Sequence, residues 1–293
     1  MLLSVVGLTS ACDQPRPRCS VAPGDFAVRY QKIDGNCEGL VGDVLSLQVY
    51  YEPRSSKDMS PDLSNARIGV LPNALAGVAG HAAGRGTPDP SDDMVAFGTF
   101  ITSKADDDDY CRIPTLTPAR VRIPALTEFT DECGTLPAEP AVDELYEFSN
   151  FRAYNAPGAY GTQIIATLRY KTATCQGTYN VTGIYPSISC GTDAVVEDSG
   201  AGDAGVIVSM DGGLGDMDAS LDATIPLDPD GGIILPQEEA PEEPTCPTPE
   251  EPGPEQIPDD GICGPGSGIS PEFTATCDPV LLHCLIPNAS STP

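Results

Sequence analysis

Eleven cysteines, 43 carboxylates and two histidines set the chemistry open to this 293-residue chain. From Cys19 onward the cysteines are separated by 18, 74, 22, 42, 15, 56, 17, 14 and 7 positions. No Cys-x-x-Cys pair occurs, so neither a zinc ribbon nor a thioredoxin-like redox pair is encoded. Thiols at such spacings point instead to disulfides formed in an oxidising compartment. Two acidic groups have the makings of a hard-cation site. Asp106, Asp107, Asp108 and Asp109 adjoin one another. Adjacent side chains rarely converge on one ion, so a solvated loop is the expectation there. Asp216, Asp218, Ser220 and Asp222 offer oxygens at positions 1, 3, 5 and 7 of a calcium loop. Such a loop also needs Gly at position 6 and Glu at position 12, where this chain has Leu221 and Leu227. A low-complexity linker is the default reading, with Ca²⁺ on Asp216, Asp218 and Asp222 as the alternative.

Nucleophilic catalysis requires a base beside the nucleophile. His81 lies in an Ala/Gly-rich stretch and His283 in an apolar run next to Cys284. Neither accompanies a Gly-x-Ser-x-Gly elbow, and both read as structural. No phosphate loop or dinucleotide fingerprint is present. Scattered Asp and Glu would supply a glycosidase pair, a signal with almost no specificity in so acidic a chain.

One thiol stands apart. Residues 1–8 are short, uncharged and mainly apolar, followed by small Thr9, Ser10 and Ala11 and then Cys12. The stretch is far too short to span a bilayer, which takes about 20 apolar residues, and it has the layout of a secretory signal. The run Leu8-Thr9-Ser10-Ala11-Cys12 resembles the lipobox of bacterial lipoproteins. That resemblance implies that residues 1–11 are a signal peptide and that Cys12 becomes the first mature residue. It further implies that an acyl lipid such as palmitate on Cys12 anchors the chain on an extracytoplasmic face. The alternative is a plain cleaved signal with Cys12 as one more disulfide cysteine. With Cys12 acylated, ten cysteines remain, an even number that can form five disulfides: Cys19, Cys37, Cys111, Cys133, Cys175, Cys190, Cys246, Cys263, Cys277 and Cys284. Asp13 leaves inner versus outer membrane open.

Charge divides the chain. The formal net charge is −28, and every Lys and Arg lies at or before Lys171. A polyanion repels nucleic acid, so that partner class is excluded. As a whole it gains nothing electrostatically from an anionic lipid surface. Five segments follow: the signal (1–11), a Pro-rich tether (12–18), a disulfide-bonded domain (19–192), an acidic Gly/Asp/Pro-rich linker expected to be disordered (193–245) and a small Cys-containing segment (246–293). If the linker separates two disulfide sets, six cysteines belong to the domain and four to the tail. Equally, the apolar run at 280–286 can return to the main domain.

The domain reads as β-rich. Alternation over 26–33, and β-branched or aromatic runs over 44–51, 94–102, 145–154, 162–170 and 177–185, predict strands; 67–71 predicts a shorter one. Prolines 114, 118 and 124 confine 113–126 to an edge or an extended run. Residues 73–84 predict one short helix, capped by Asn73, with Leu75, Val78, Ala79 and Ala82 on one face. The fold class is therefore mostly β: an antiparallel sandwich or barrel stapled by disulfides. The lipobox, the Cys-containing β domain and the acidic linker together resemble lipoproteins of the myxobacterial type. That resemblance implies an address and no activity. The functional expectation is a non-enzymatic binding or envelope-structural role toward a protein or glycan ligand. The alternatives are a carboxylate-dependent hydrolase of envelope or extracellular polymer and a calcium-dependent adhesin.

Overall fold

The computed structural model describes residues 16–82, 86–131, 134–193 and 256–287. In chain order its elements are β1 (Gly24–Gly35), β2 (Gly42–Pro53), β3 (Pro61–Pro72), α1 (Asn73–His81), β4 (Ala96–Thr99), β5 (Tyr110–Thr115), β6 (Ala119–Ile123), β7 (Phe129–Asp131), β8 (Gly134–Leu136), β9 (Val142–Ala156), β10 (Ala159–Thr172), β11 (Gln176–Ile184), β12 (Gly191–Asp193), β13 (Gln256–Pro258), a 3-10 turn (Asp260–Cys263), β14 (Thr276–Cys277) and β15 (Cys284–Leu285).

Successive side chains of a strand point to opposite faces, and here one face of each long strand is apolar. Phe26, Val28 and Tyr30 of β1, Leu45 and Leu47 of β2, and Ile164, Ala166 and Leu168 of β10 are all buried in one core. The strands pair antiparallel in the order β4-β3-β2-β1-β11-β10-β9-β5, with β6 also on β9. The two ends of this path meet: Thr117 N donates to the Phe97 carbonyl and Ile101 N to the Arg112 carbonyl, while Phe97 N donates to Thr117 Oγ1 at 2.8 Å. The sheet is a nearly closed barrel, which decides between the two architectures the alternation left open. Gly98 lies at the seam, where a Cβ would stand 2.6 Å from Ile113 and 3.0 Å from Leu116.

The proline-containing run 113–126 enters the sheet at the end of the strand path, where β5 stands. Pro114 falls inside β5 and Pro118 between β5 and β6, and both strands pair β9. Helix α1 sets Leu75 into the core, with Val78 and Ala79 packed beside it. Its capping differs from expectation. Pro72 is the N-cap and makes no side-chain cap bond; the Asn73 side chain accepts from Ser46 Oγ, and the Asp43 carboxylate accepts from Ala74 N.

Among the described residues four disulfides join Cys19–Cys111, Cys37–Cys175, Cys190–Cys277 and Cys263–Cys284. Cys190–Cys277 connects the strand-rich part to the C-terminal segment, so the cysteines do not divide into six and four. That segment docks on the outer face of β1. Leu285 packs on Ala27 and Ile184, Arg29 pairs with Asp278, and Ser189 bridges to His283. Cys12, Cys133, Cys246, Asp216, Asp218 and Asp222 lie outside the described residues, as does the 193–245 linker apart from Asp193, which ends β12.

Two glycines separate packing from propensity. A Cβ at Gly183 would meet Val28 at 2.5 Å and Ile164 at 2.8 Å, whereas one at Gly77 of α1 meets nothing within 4 Å. Gly183→Ala is expected to lower unfolding free energy by about 1–3 kcal/mol through overpacking. Gly77→Ala is expected to raise it by about 0.5–1 kcal/mol through helix propensity. Urea denaturation of the two variants checks both signs.

Candidate functional site

Inward positions at one end of the barrel are polar. Asp43 stands opposite Val28 on the first inward position of β2. Tyr30 lies two residues beyond Val28 and opposite Val181. Tyr179 faces Leu168 across β10 and β11, Tyr170 faces Tyr146, and Glu144 faces Val121. Five strands thus bring two carboxylates and four phenols to one mouth, beside the N-terminus of α1.

Each side chain is held. Tyr146 and Tyr170 meet edge to face with ring centroids 4.9 Å apart, and Tyr30 and Tyr179 at 6.3 Å. The Tyr179 hydroxyl donates to the Cys37 carbonyl at 2.9 Å, a residue fixed by the Cys37–Cys175 bridge. Asp43 accepts from Val44 N at 2.8 Å and from Ala74 N at 3.3 Å. Glu144 lies within electrostatic reach of the Tyr170 hydroxyl. The Tyr30 hydroxyl is buried and, among the described residues, has no hydrogen-bond partner, a costly state for a polar atom.

Burial, and then the charge of Glu144, pushes the Asp43 carboxyl up to about 6 against the pull of its two backbone donors. Glu144 is raised by burial and pulled back by Tyr170. Tyr30 is raised well above the ordinary phenol range, first by burial and then by Asp43. Tyr146 rises for the same two reasons. Chemically the mouth offers hydrogen-bond acceptors on carboxylates, donors on phenols and aromatic ring edges, with one carboxyl near half-protonation in mildly acidic water.

The residues that the sequence brought forward lie elsewhere. Asp106 accepts from Tyr110 N and from Arg112, and Asp107 pairs with Arg16. The four-aspartate run is thus a surface turn tied down by arginines. His81, mostly exposed, contacts Glu139 at 3.1 Å. His283 Nδ1 lies 3.2 Å from Ser187 Oγ, in the docked tail. Among the described residues the one grouping with metal-ligand spacing is Cys190, Cys263 and Cys284, whose sulfurs are committed to disulfides. Asp43, Glu144 and the tyrosines were missed because they are spread over 150 positions. The signal that finds them is strand phase: Asp43 alternates with Leu45 and Leu47, and Glu144 with Tyr146 and Phe148.

Comparison with known proteins completes the picture. The MlpA family model matches residues 24–186, from the first residue of β1 to just past β11. The chain belongs to the MlpA family. A Myxococcus xanthus protein named "Putative lipoprotein MlpA" is 26% identical over 202 residues, covering 66% of this chain and 77% of that protein. No solved structure matches the chain. The family match spans Tyr30, Asp43, Glu144, Tyr146, Tyr170 and Tyr179, so the mouth belongs to the family's own region.

The raised Asp43 carboxyl has a stability consequence. A folded-state value above the unfolded one contributes stability that is full below about pH 4 and is lost as pH rises through about 6. Asp43→Asn removes that loss. Its stability relative to the parent is expected to shift in the variant's favour by about 2 kcal/mol between pH 4 and pH 8. Denaturant midpoints at both pH values check this; a pH-independent difference contradicts the assignment.

Proposed function

We propose that the chain is an extracytoplasmic lipoprotein of the cell envelope, acylated on Cys12, whose barrel serves a non-enzymatic binding role. We place its ligand contact at the mouth formed by Asp43, Glu144, Tyr30, Tyr146 and Tyr170. The single observation that carries the binding reading is the buried, unpartnered Tyr30 hydroxyl next to an inward carboxylate pair. Such groups are normally satisfied, and here they converge where a ligand's polar atoms have acceptors to meet. A hydroxyl-rich glycan fits that chemistry, since its O–H groups bond carboxylates and its C–H faces pack on aromatic rings. The lipoprotein reading is supported by the Leu8–Cys12 run and by the family relationship.

A second reading has a specific observation in its favour. A carboxyl near 6 beside a second carboxylate is the arrangement of a general acid with its partner. A hydrolase of envelope polysaccharide would release reducing ends and lose that activity in both Asp43→Asn and Glu144→Gln. Absence of release by the parent protein dismisses this reading.

Metabolic labelling with an alkyne fatty acid tests the anchor. Label and membrane retention are expected in the parent and absent in Cys12→Ala. Equal label in both refutes acylation at that thiol.

A further inference from the structure

The two ends of the barrel are chemically different, and the tether leaves from the end opposite the mouth. β2 runs antiparallel to β1, with Leu47 opposite Gly24. Its last residues, through Tyr51 and Pro53, therefore extend past the start of β1. The chain enters there. Pro17 accepts from Ala105 N, Cys19 N donates to the Ser103 carbonyl, and Cys19 is bonded to Cys111. The Tyr160 hydroxyl donates to the Arg18 carbonyl at 2.7 Å, and Tyr51 lies within electrostatic reach of Tyr160. Asp43 and Glu144 belong to the other end, as do Gly35 and its partner Gly177.

This tether end carries a cationic groove. Arg18, Arg54 and Lys104 line a groove of about 240 Å³ together with Ser64, Ser103 and the single acid Asp62. All three cations are exposed. In the neighbouring acidic turn Asp106 and Asp108 lie against Arg112 and Asp107 against Arg16. Tyr51 and Tyr160 stand exposed alongside, at 37% and 44%. Cations with amphipathic tyrosines are the side chains that settle at a lipid headgroup layer.

We propose that this end of the barrel, through Arg18, Arg54, Lys104, Tyr51 and Tyr160, docks on the anionic surface of the membrane that holds the acylated Cys12, so that the mouth faces away from the lipid. The proposal rests on the acylation of Cys12. Its occupant is dictated by chain length. Cys12 is five positions before Pro17, a reach of at most about 18 Å when fully extended. Any bilayer that holds Cys12 is therefore within about two Debye lengths of these cations at physiological salt. A tether this short also gives the face a high effective concentration at the lipid, so weak contacts suffice. The net charge of −28 does not oppose this, because attraction is set by the charges within a Debye length of the surface. Residues 193–293 hold no base, and the docked tail reaches this same end, where Ser270 Oγ donates to the Gly158 carbonyl, so the attraction is local to the groove.

The absence of tryptophan from the chain supplies the test. Tyr51→Trp places a single fluorophore at the tether end. Ile33→Trp places one at the mouth end of β1, at a position 55% exposed. Each full-length lipidated variant is reconstituted into phosphatidylcholine vesicles containing roughly one-third phosphatidylglycerol, with brominated acyl chains as quencher. The expected result is quenching of Tyr51→Trp and none of Ile33→Trp. Adding Arg18→Ala, Arg54→Ala and Lys104→Ala should abolish the difference between the reporters, as should omitting phosphatidylglycerol. All three side chains are exposed, and an unchanged circular dichroism spectrum certifies the fold. A protein that does not float with the vesicles refutes the acyl anchor and the docking with it. One that floats yet quenches both reporters alike, or keeps the difference without the three cations, refutes the docking alone.

Discussion

Closure of the sheet is the constraint on which the molecule depends. β4 has four residues and β5 six, and no continuous ladder joins them. The seam is made by the Phe97–Thr117 exchange and by the Ile101–Arg112 bond. It is possible because Ala96 and Gly98 are small enough for Ile113 and Leu116 to come close. An open sheet would leave two edges with unpaired backbone groups, a standing invitation to aggregation. Closure removes them and turns every inward face into one shared interior. Cys19–Cys111 fixes the entering chain to β5 at this seam, and the prolines of the region sit where a ladder donor is dispensable.

Once the interior is shared, its composition along the barrel axis becomes meaningful. Inward residues run Phe26, Val28, Tyr30 along β1 and Ile164, Ala166, Leu168, Tyr170 along β10. On β9, read toward the mouth, they run Ala153, Phe151, Phe148, Tyr146, Glu144. In these three strands the apolar residues come toward the tether end and the hydroxyl or carboxyl toward the mouth. An inward carboxylate opposes folding through desolvation. The chain offsets part of that cost locally, with Val44 N and Ala74 N of α1 donating to Asp43 and the Tyr170 hydroxyl close to Glu144. The helix is therefore more than a plug: its positive N-terminal end favours the carboxylate it touches. The Tyr30 hydroxyl receives no such compensation. A fold tuned for stability alone would carry Phe there, which is the physical ground for reading the mouth as a place of contact.

Period-2 alternation made β1, β2, β9, β10 and β11 legible almost to their ends, because each buries one face against a single core. Helix 73–84 was legible from Leu75, Val78, Ala79 and Ala82, though its cap was not: the acceptor comes from Asp43, thirty residues earlier, and no local pattern announces a partner at that separation. β5 and β6 were obscured by their prolines. β12 to β15 are two or three residues long, too short for any period to appear, and exist because two disulfides hold them in register. The mouth was invisible as a motif for a related reason. A motif is a cluster in sequence, whereas a barrel gathers one residue from each of several strands. What the sequence did contain was the phase of each strand, and a polar residue on the apolar phase marks a site of this kind.

The same logic connects the two ends. Fixing Pro17 and Cys19 to the loop before β5 makes the tether short and rigid on the protein side, so an anchor at Cys12 leaves the barrel little freedom to tumble. The inward gradient from aliphatic to phenolic to carboxylate side chains gives the mouth its chemical identity.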